Sequence, residues 1–490
     1  MIASWNFSQH IGSTLIAGVG PEACDGRTVN DPTRAVIGST WSGREMCWRH
    51  APDQYAAIHF HADDVGDFCW NETFSFVIPD TVKSGAYALH LTCAAGEDYL
   101  PFYVLPKRDG PRAKLAFLAP TYTYMAYANC FFANRSIDGQ ARAAAWGASP
   151  YSGREYGSYG RSTYNWHVDG SGVANSTRLR PILTMRPGFV FADDPKGSGV
   201  RHYPADTHLL AWLDAKGFDY DVITDEDLDD EGVSLIEDYS AVITGTHPEY
   251  HTPGTLDALQ AYLSSGGNLA YLGANGFYWR IARDKARPDL IEVRRAEGGI
   301  RLWAAETGEY FHALDGQLGG LWRRNGRFPQ SLTGVGFSAQ GPFDAGWFRR
   351  TDASKTGPHA WVFEGVADEV VGDYGLSAGG AAGFELDRMD VCLGSPETAV
   401  VLAVSEGLPS TFSVAPEDML TESLSLTGAP PHELVRGDMT YTAMPGGGAV
   451  FAAGSITFCG SLWRDKKPEG AISTVLENVL NRFLNPPPAC

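Results

Sequence analysis

Basic residues are in short supply in this sequence: 38 Lys and Arg stand against 58 Asp and Glu, a net charge of -20. Such a surface repels phosphate backbones and anionic lipids, which excludes nucleic acid and membrane partners and favours a small neutral ligand. Long apolar runs are missing too, so no membrane span is expected, and the opening MIASWNFSQHIGST lacks a basic region followed by an apolar core. The chain is therefore read as cytoplasmic. Closely paired cysteines are also absent; the eight, at 24, 47, 69, 93, 130, 392, 459 and 490, are scattered without a C-x-x-C and read as reduced thiols. What remains is a chain of 490 residues, 44% hydrophobic and 12% aromatic, with a mean hydropathy of -0.19. That length implies more than one domain with a sizeable core.

Hydrophobic periodicity changes along the chain. Residues 41–110 carry short β-rich runs, AAIHFHADDV, TFSFVIPD, SGAYALHLTC and DYLPFYVLP, broken by Gly, Asp and Asn, the pattern of an Ig-like β-sandwich. Residues 1–40 have a different texture. PKRDGPR marks a boundary near 110. Beyond it, AKLAFLAP, FDYDVIT, YSAVITG and NLAYLGA read as buried strands, with helices at DTHLLAWLDAKG and TPGTLDALQAYLSSGG between them. Asp206 is the expected N-cap of the first helix and Gly217 its stop. Strand and helix alternating through short connections predict an α/β domain over 111–490, a doubly wound and mostly parallel sheet. A β-rich elaboration, with IRLWAAET, WVFEGV and TAVVLAVS as strands, is expected at about 290–450, before GAVFAAGS and the helix ISTVLENVLNRFL close the domain.

An open parallel sheet binds ligands at the carboxyl ends of its strands. That rule selects TYTYMAYAN (121–129), THPEYH (246–251) and GANGFYW (273–279), read as three loops on one rim. None carries a serine or cysteine nucleophile motif or a phosphate-binding glycine pattern. They offer tyrosine, glutamate, histidine and asparagine instead. Glu249 follows His247 across Pro248 and precedes a helix, where a carboxylate serves either helix amides or chemistry. Tyrosines crowd two segments: Tyr122, Tyr124 and Tyr127 in one, Tyr151, Tyr156, Tyr159 and Tyr164 in the other. Most such rings pack as aromatics, yet phenolates are hard donors that suit ferric iron.

The stretches AFLAPTYTYMAYAN, STYNWHVDGSGVANSTRLRP, TGTHPEYHTP, YLGANGFYWR, GGLWRRNGR, GVGFSAQG, AAGFELDRMD, SITFCGSLW and NVLNRFLNP together resemble the large (beta) subunit of the N,N-dimethylformamidase family. The piece before residue 40, WNFSQHI with DGRTVNDPTRAVIGSTW, is similar to the tail of that family's lectin-like sandwich. The resemblance implies a class I glutamine-amidotransferase-like α/β fold and an iron-dependent amidohydrolase acting on dimethylformamide or a similar small amide. It implies a mononuclear non-haem Fe(3+) held by Tyr127, Tyr164 and Glu249, with Tyr122, Tyr124 and Tyr159 as competing phenols. Thr123, His247, Asn275 and Glu385 become the expected catalytic set, with Glu385 as general base, and Phe277, Tyr278 and Trp279 the expected walls for the substrate's alkyl groups. For Glu385 the bland alternative is a buried pair with Arg388. A separate small subunit, and oligomerisation of the pair, are implied as partners. The rival reading is a non-catalytic sugar- or partner-binding protein on the same fold, without iron.

Overall fold

The computed structural model describes residues 3–131, 155–192, 194–296, 302–415, 417 and 431–487. Tyr151 and Cys490 lie outside these.

The first 110 residues contain several small antiparallel units. Trp5–Asn6, Leu15–Gly18 and Gly26–Arg27 form one sheet, Thr33–Val36 pairs with Ala57–His59, and Gly85–Cys93 forms a hairpin with Gly96–Val104. TFSFVIPD differs from its expected form: 73–79 has no strand partner among the described residues, and Phe74, Phe76 and Val77 are exposed. The alternation that suggested a strand exists, but no neighbouring backbone completes its ladder.

Past residue 110 the elements that carry the site are, in chain order, β1 (Leu115–Ala119), α1 (Thr121–Ala126), α2 (Tyr203–Lys216), β2 (Tyr220–Thr224), α3 (Asp225–Glu231), β3 (Ala241–Thr244), α4 (Pro253–Ser264), β4 (Asn268–Tyr271), β5 (Gly336–Arg350), β6 (Ala382–Arg388), β7 (Ala399–Glu406), β8 (Asp438–Ala443), β9 (Ala449–Ala452) and α5 (Ala471–Leu484). Strands β2, β1, β3, β4 and β9 lie side by side and parallel, with Val242 opposite Ala116 and Leu269. The sheet continues antiparallel through β8, β7 and β5, against which β6 also pairs.

Successive side chains of a strand point to opposite faces, and here both faces are covered. Leu115, Phe117, Val222, Ile243 and Phe451 pack with Leu209 and Leu213 of α2 and Val475, Leu476 and Leu480 of α5. Ala116, Leu118, Ile223, Val242 and Val450 pack with Leu228 of α3 and Leu256, Leu259 and Leu263 of α4. Continuous apolar strands such as AVIT follow from this double burial. In α5, Ile472, Val475, Leu476, Val479, Leu480 and Phe483 recur at helical spacing and are buried.

Several expected elements take another form. TYTYMAYAN, read as a loop, begins with the short helix α1. WVFEGV, read as a strand, begins inside a 3-10 turn, Ala360–Phe363; the described part of IRLWAAET, 302–307, has no strand. Helix α2 starts at Tyr203, so Asp206 sits in its first turn rather than at its cap, while Gly217 ends it in the left-handed conformation at φ 75°. Asp206 is otherwise engaged: it accepts from Tyr124 Oη at 2.5 Å and from Thr246 N and Oγ1 at 2.6 and 2.7 Å. It ties α1, α2 and the segment after β3 together. Among the described residues, no helix is long and apolar enough to cross a membrane.

Candidate active site

Three chain segments leave the carboxyl ends of adjacent parallel strands: α1 after β1, 245–249 after β3 and 272–279 after β4. Two glycines let them approach one another. A Cβ on Gly273 would stand 2.2 Å from Thr246 O, and one on Gly245 2.4 Å from Asp206 Oδ2. Backbone hydrogen bonds then fix Glu249. Its N–H and that of Tyr250 both donate to Thr123 Oγ1, at 2.9 and 3.2 Å, and its carbonyl accepts from the backbone N–H groups of Tyr278 and Trp279, both at 3.0 Å. Asn275 and Phe277 hold φ values of 50° and 56°, unusual for residues with side chains. Such strain persists only where surrounding contacts hold it. Here Asp387 accepts the Asn275 N–H at 2.7 Å, and Pro248 O accepts that of Phe277 at 2.7 Å.

The side chains converge on the Glu249 carboxylate. Tyr164 Oη donates to it, 2.9 and 3.1 Å from its two oxygens. The rings of Tyr127 and Tyr164 stack with centroids 4.0 Å apart. Asn275 Nδ2 lies 3.2 Å from Glu249 Oε1 and 3.5 Å from Glu385 Oε2. His247 Nε2 stands between the same two carboxylates, at 3.4 and 3.3 Å. Tyr127, Tyr164, His247, Glu249, Asn275 and Glu385 are each no more than 5% exposed. The competing tyrosines are occupied elsewhere: Tyr122 Oη donates to Asp229, Tyr124 Oη to Asp206, and Tyr159 stacks on Tyr156.

Other expected positions have different surroundings. Glu385 does not pair with Arg388, which binds Asp390 at 2.6 Å; its partner is Arg201 Nη2 at 2.9 Å. Phe277 stacks on His251, in the core beneath α4, and Tyr278 packs edge-on to Phe337. The backbones of Tyr278 and Trp279 hold Glu249, and that of Phe277 holds Pro248. His251 bridges Pro248 O and Thr255 Oγ1, at 3.0 and 3.1 Å, and so braces the turn.

Sequence reasoning missed two cations and a tyrosine. Arg201 lies over the ring of Tyr127 at 5.1 Å and donates to Glu385 and to His247 Nδ1. Accepting there leaves Nε2 as the protonated nitrogen of a neutral His247. Arg295 lies over Tyr164 at 4.8 Å and donates to Tyr250 Oη at 2.5 Å, while Tyr250 Oη donates to Tyr164 Oη at 2.6 Å. No spacing pattern tells which arginines of a chain are buried.

Electrostatics follow from burial. Burial, then repulsion from Glu385, pushes Glu249 up to about 7, although Arg201 and the two phenols pull the other way. Burial also raises Tyr127 and Tyr164 well above the ordinary phenol value, with Glu249 adding to the effect. Two stacked phenol rings and a carboxylate are thus gathered in a buried site where their anionic forms need positive charge. All three donors are hard oxygens, the set that suits a trivalent ion. Asn275 Oδ1, on the amide that touches both carboxylates, is buried without a hydrogen-bond partner among the described residues. The residues present therefore fit a small, highly charged cation. By contrast, the chain's G-x-S-x-G match, GLSAG at 375–379, lies in a turn ahead of β6, not between a parallel strand and a helix.

The family described as "N,N-dimethylformamidase beta subunit-like, C-terminal" matches residues 33–470. The chain belongs to this family. Proteins named N,N-dimethylformamidase beta subunit from Paracoccus aminophilus and from Alcaligenes sp are each 38% identical to it over 503 residues. Both alignments cover 100% of this chain and 64% of the relative, so the chain spans less than two thirds of their length. Among solved structures, a putative ThuA-like protein from Bacteroides uniformis aligns over 77% of this chain and 94% of its own, at 11% identity and a TM-score of 0.29, a slight likeness.

Proposed function

We propose that this doubly wound α/β chain is the catalytic part of an amidohydrolase that cleaves N,N-dimethylformamide, or a similar small N-substituted amide, to a carboxylate and a dialkylamine. The reading is supported by family membership together with one observation: three separate segments bring the stacked rings of Tyr127 and Tyr164 to the buried Glu249 carboxylate, which accepts from Tyr164 Oη, beside Glu385. Those three would hold a mononuclear non-haem ferric ion. When bound, such an ion lowers the pKa of water and polarises a carbonyl oxygen.

The remaining residues divide the work. Glu385 takes the proton of the attacking water and returns it to the amine nitrogen as the C–N bond breaks. Arg201 orients the Glu385 carboxylate. Asn275 and His247 donate towards the two carboxylates and lie where a developing negative oxygen would need hydrogen bonds. Thr123 holds the backbone of Glu249 and acts by positioning. A tertiary amide brings no N–H and no charge, which accords with a chain carrying -20 whose site is lined by aromatic rings. Because the relatives are named as beta subunits, a second, smaller subunit is part of the proposal, with oligomerisation of the pair.

The test is hydrolysis of dimethylformamide by the full chain, alone and with a candidate second subunit, followed as formate and dimethylamine released. Glu385→Gln should abolish turnover and retain bound iron. A Glu385→Gln chain that turns over at the parent rate would remove Glu385 from the chemistry.

A further inference from the structure

Outside the set of Tyr127, Tyr164 and Glu249, two histidines and an aspartate converge where the strand Ala57–His59 ends against the turn at 166–172. His59 Nε2 and His61 Nε2 each lie 3.2 Å from Asp169 Oδ2, and the three atoms fall within 4.8 Å of one another. A charge-assisted hydrogen bond between nitrogen and carboxylate is about 2.7–2.9 Å long. Two ligands on one tetrahedral zinc, at about 2.0–2.1 Å each, stand about 3.3–3.4 Å apart. The observed separations lie nearer the second geometry.

We propose that His59, His61 and Asp169 form a second metal site, for a divalent transition ion of the zinc class, with the fourth position open to water. The surroundings of each ligand support this. His61 Nδ1 lies 3.3 Å from Asp64 Oδ1, while Asp64 Oδ2 accepts the His61 backbone N–H at 2.7 Å. A carboxylate behind the imidazole holds the proton on Nδ1 and leaves the Nε2 lone pair for a metal, the usual support of a metal-bound histidine. The His61 ring is also stacked on His167, at 3.6 Å and 2°, and His167 is held by Asp63 at 2.7 Å. On the opposite side, Ser171 N and Oγ lie 2.9 and 2.6 Å from Asp169 Oδ1, which leaves Oδ2 to the histidines. Ser171 Oγ also lies 2.9 Å from His61 Nε2, a contact the metal would replace. The His61 side chain is 6% exposed, whereas those of His59 and Asp169 are 44% and 47% exposed. One ligand is thus anchored in the protein and two are reachable from solvent. The site would clip the segment 57–64 to the turn that follows Tyr164.

Zinc titration of the metal-stripped full chain tests this, with bound metal counted and the thermal midpoint followed. His59→Ala and Asp169→Asn are the first variants, because their exposed side chains can change without disturbing the core; Asp64→Asn probes the support behind His61. The parent should bind one zinc more than either variant at micromolar concentration and gain thermal stability that the variants do not gain. Asp64→Asn should weaken that zinc about 10–100-fold. Cobalt in place of zinc should give a tetrahedral visible spectrum in the parent that Asp169→Asn lacks. Equal zinc stoichiometry and affinity in parent and variants, or no uptake by the parent at about 100 times the expected Kd, would overturn the site.

Discussion

Replacing Thr123 with valine isolates the positioning of Glu249 from its chemistry. The Thr123 side chain is fully buried, and its Oγ1 accepts two backbone N–H groups, those of Glu249 and Tyr250. Valine keeps the shape and removes the acceptor. Each buried N–H left without a partner costs about 1–3 kcal/mol. Two together therefore cost about 2–6 kcal/mol, offset by roughly 1 kcal/mol because a buried hydroxyl is no longer withheld from water. A net loss of about 1–5 kcal/mol should lower the melting temperature by at least ~2 °C, using the ~2–4 °C per kcal/mol of larger domains. Scanning calorimetry of the parent, Thr123→Val and Thr123→Ser reads this directly. Serine retains the oxygen and loses one methyl, so it should recover most of the midpoint. A Thr123→Val protein melting within about 1 °C of the parent would refute the role of this hydroxyl. So would a serine variant as damaged as the valine one.

Asp206 predicts a pH effect on stability: burial raises its pKa from 3.8 to about 6. The folded state binds this proton more tightly than the unfolded one, so the contribution is fully present below about 3.8 and is lost as pH rises through 6. It amounts to about 3 kcal/mol. Asp206→Asn should therefore flatten the parent's slope between those values in urea titrations; an unchanged slope would contradict it. Gly273→Ala should cost about 2–4 kcal/mol, since the new methyl would meet Thr246 O; an unchanged melting temperature would show that the two segments are not packed so closely. Arg295→Met removes the donor to Tyr250 Oη and the cation over Tyr164. It should weaken iron retention more than it lowers the melting temperature, measured as metal per chain after dialysis, and full retention would contradict it.

Sequence pattern reveals most where one physical rule dominates. Buried parallel strands are apolar throughout, so LAFLA, AVIT and NLAY announce themselves, and Glu249 is found by standing just past AVIT. Asp206 shows the limit. Its position at the head of the run DTHLLAWLDAKG reads as a cap, yet its role depends on Tyr124 and Thr246, 82 and 40 residues away in sequence. Arg201 and Arg295 left no trace in the periodicity, because burial of a cation depends on which carboxylates and rings the fold brings to it. Tyr127 and Tyr164 were separated from Tyr122, Tyr124 and Tyr159 in the reading only by resemblance; in the structure the distinction is geometric, since the hydroxyls of Tyr122 and Tyr124 each have another acceptor. In the aromatic run at 277–279 the ring of Phe277 packs on His251 and that of Tyr278 on Phe337, while the amides of Tyr278 and Trp279 hold Glu249. His59 and His61 stand two residues apart, but the turn that carries His167 and Asp169 lies about a hundred residues further on and joins them only after folding.

Tyr127, Tyr164 and Glu249 together are proposed to hold a single ferric ion. Iron content and visible absorption of the purified chain, measured beside Tyr127→Phe, Tyr164→Phe and Glu249→Gln, test it most directly. The parent should carry one iron per chain with a tyrosinate-to-iron charge-transfer band. Each tyrosine variant should shift or lose the band, and Glu249→Gln should lose the metal. An iron-free, colourless parent that still hydrolyses dimethylformamide would contradict the claim, as would an iron band unchanged in both tyrosine variants.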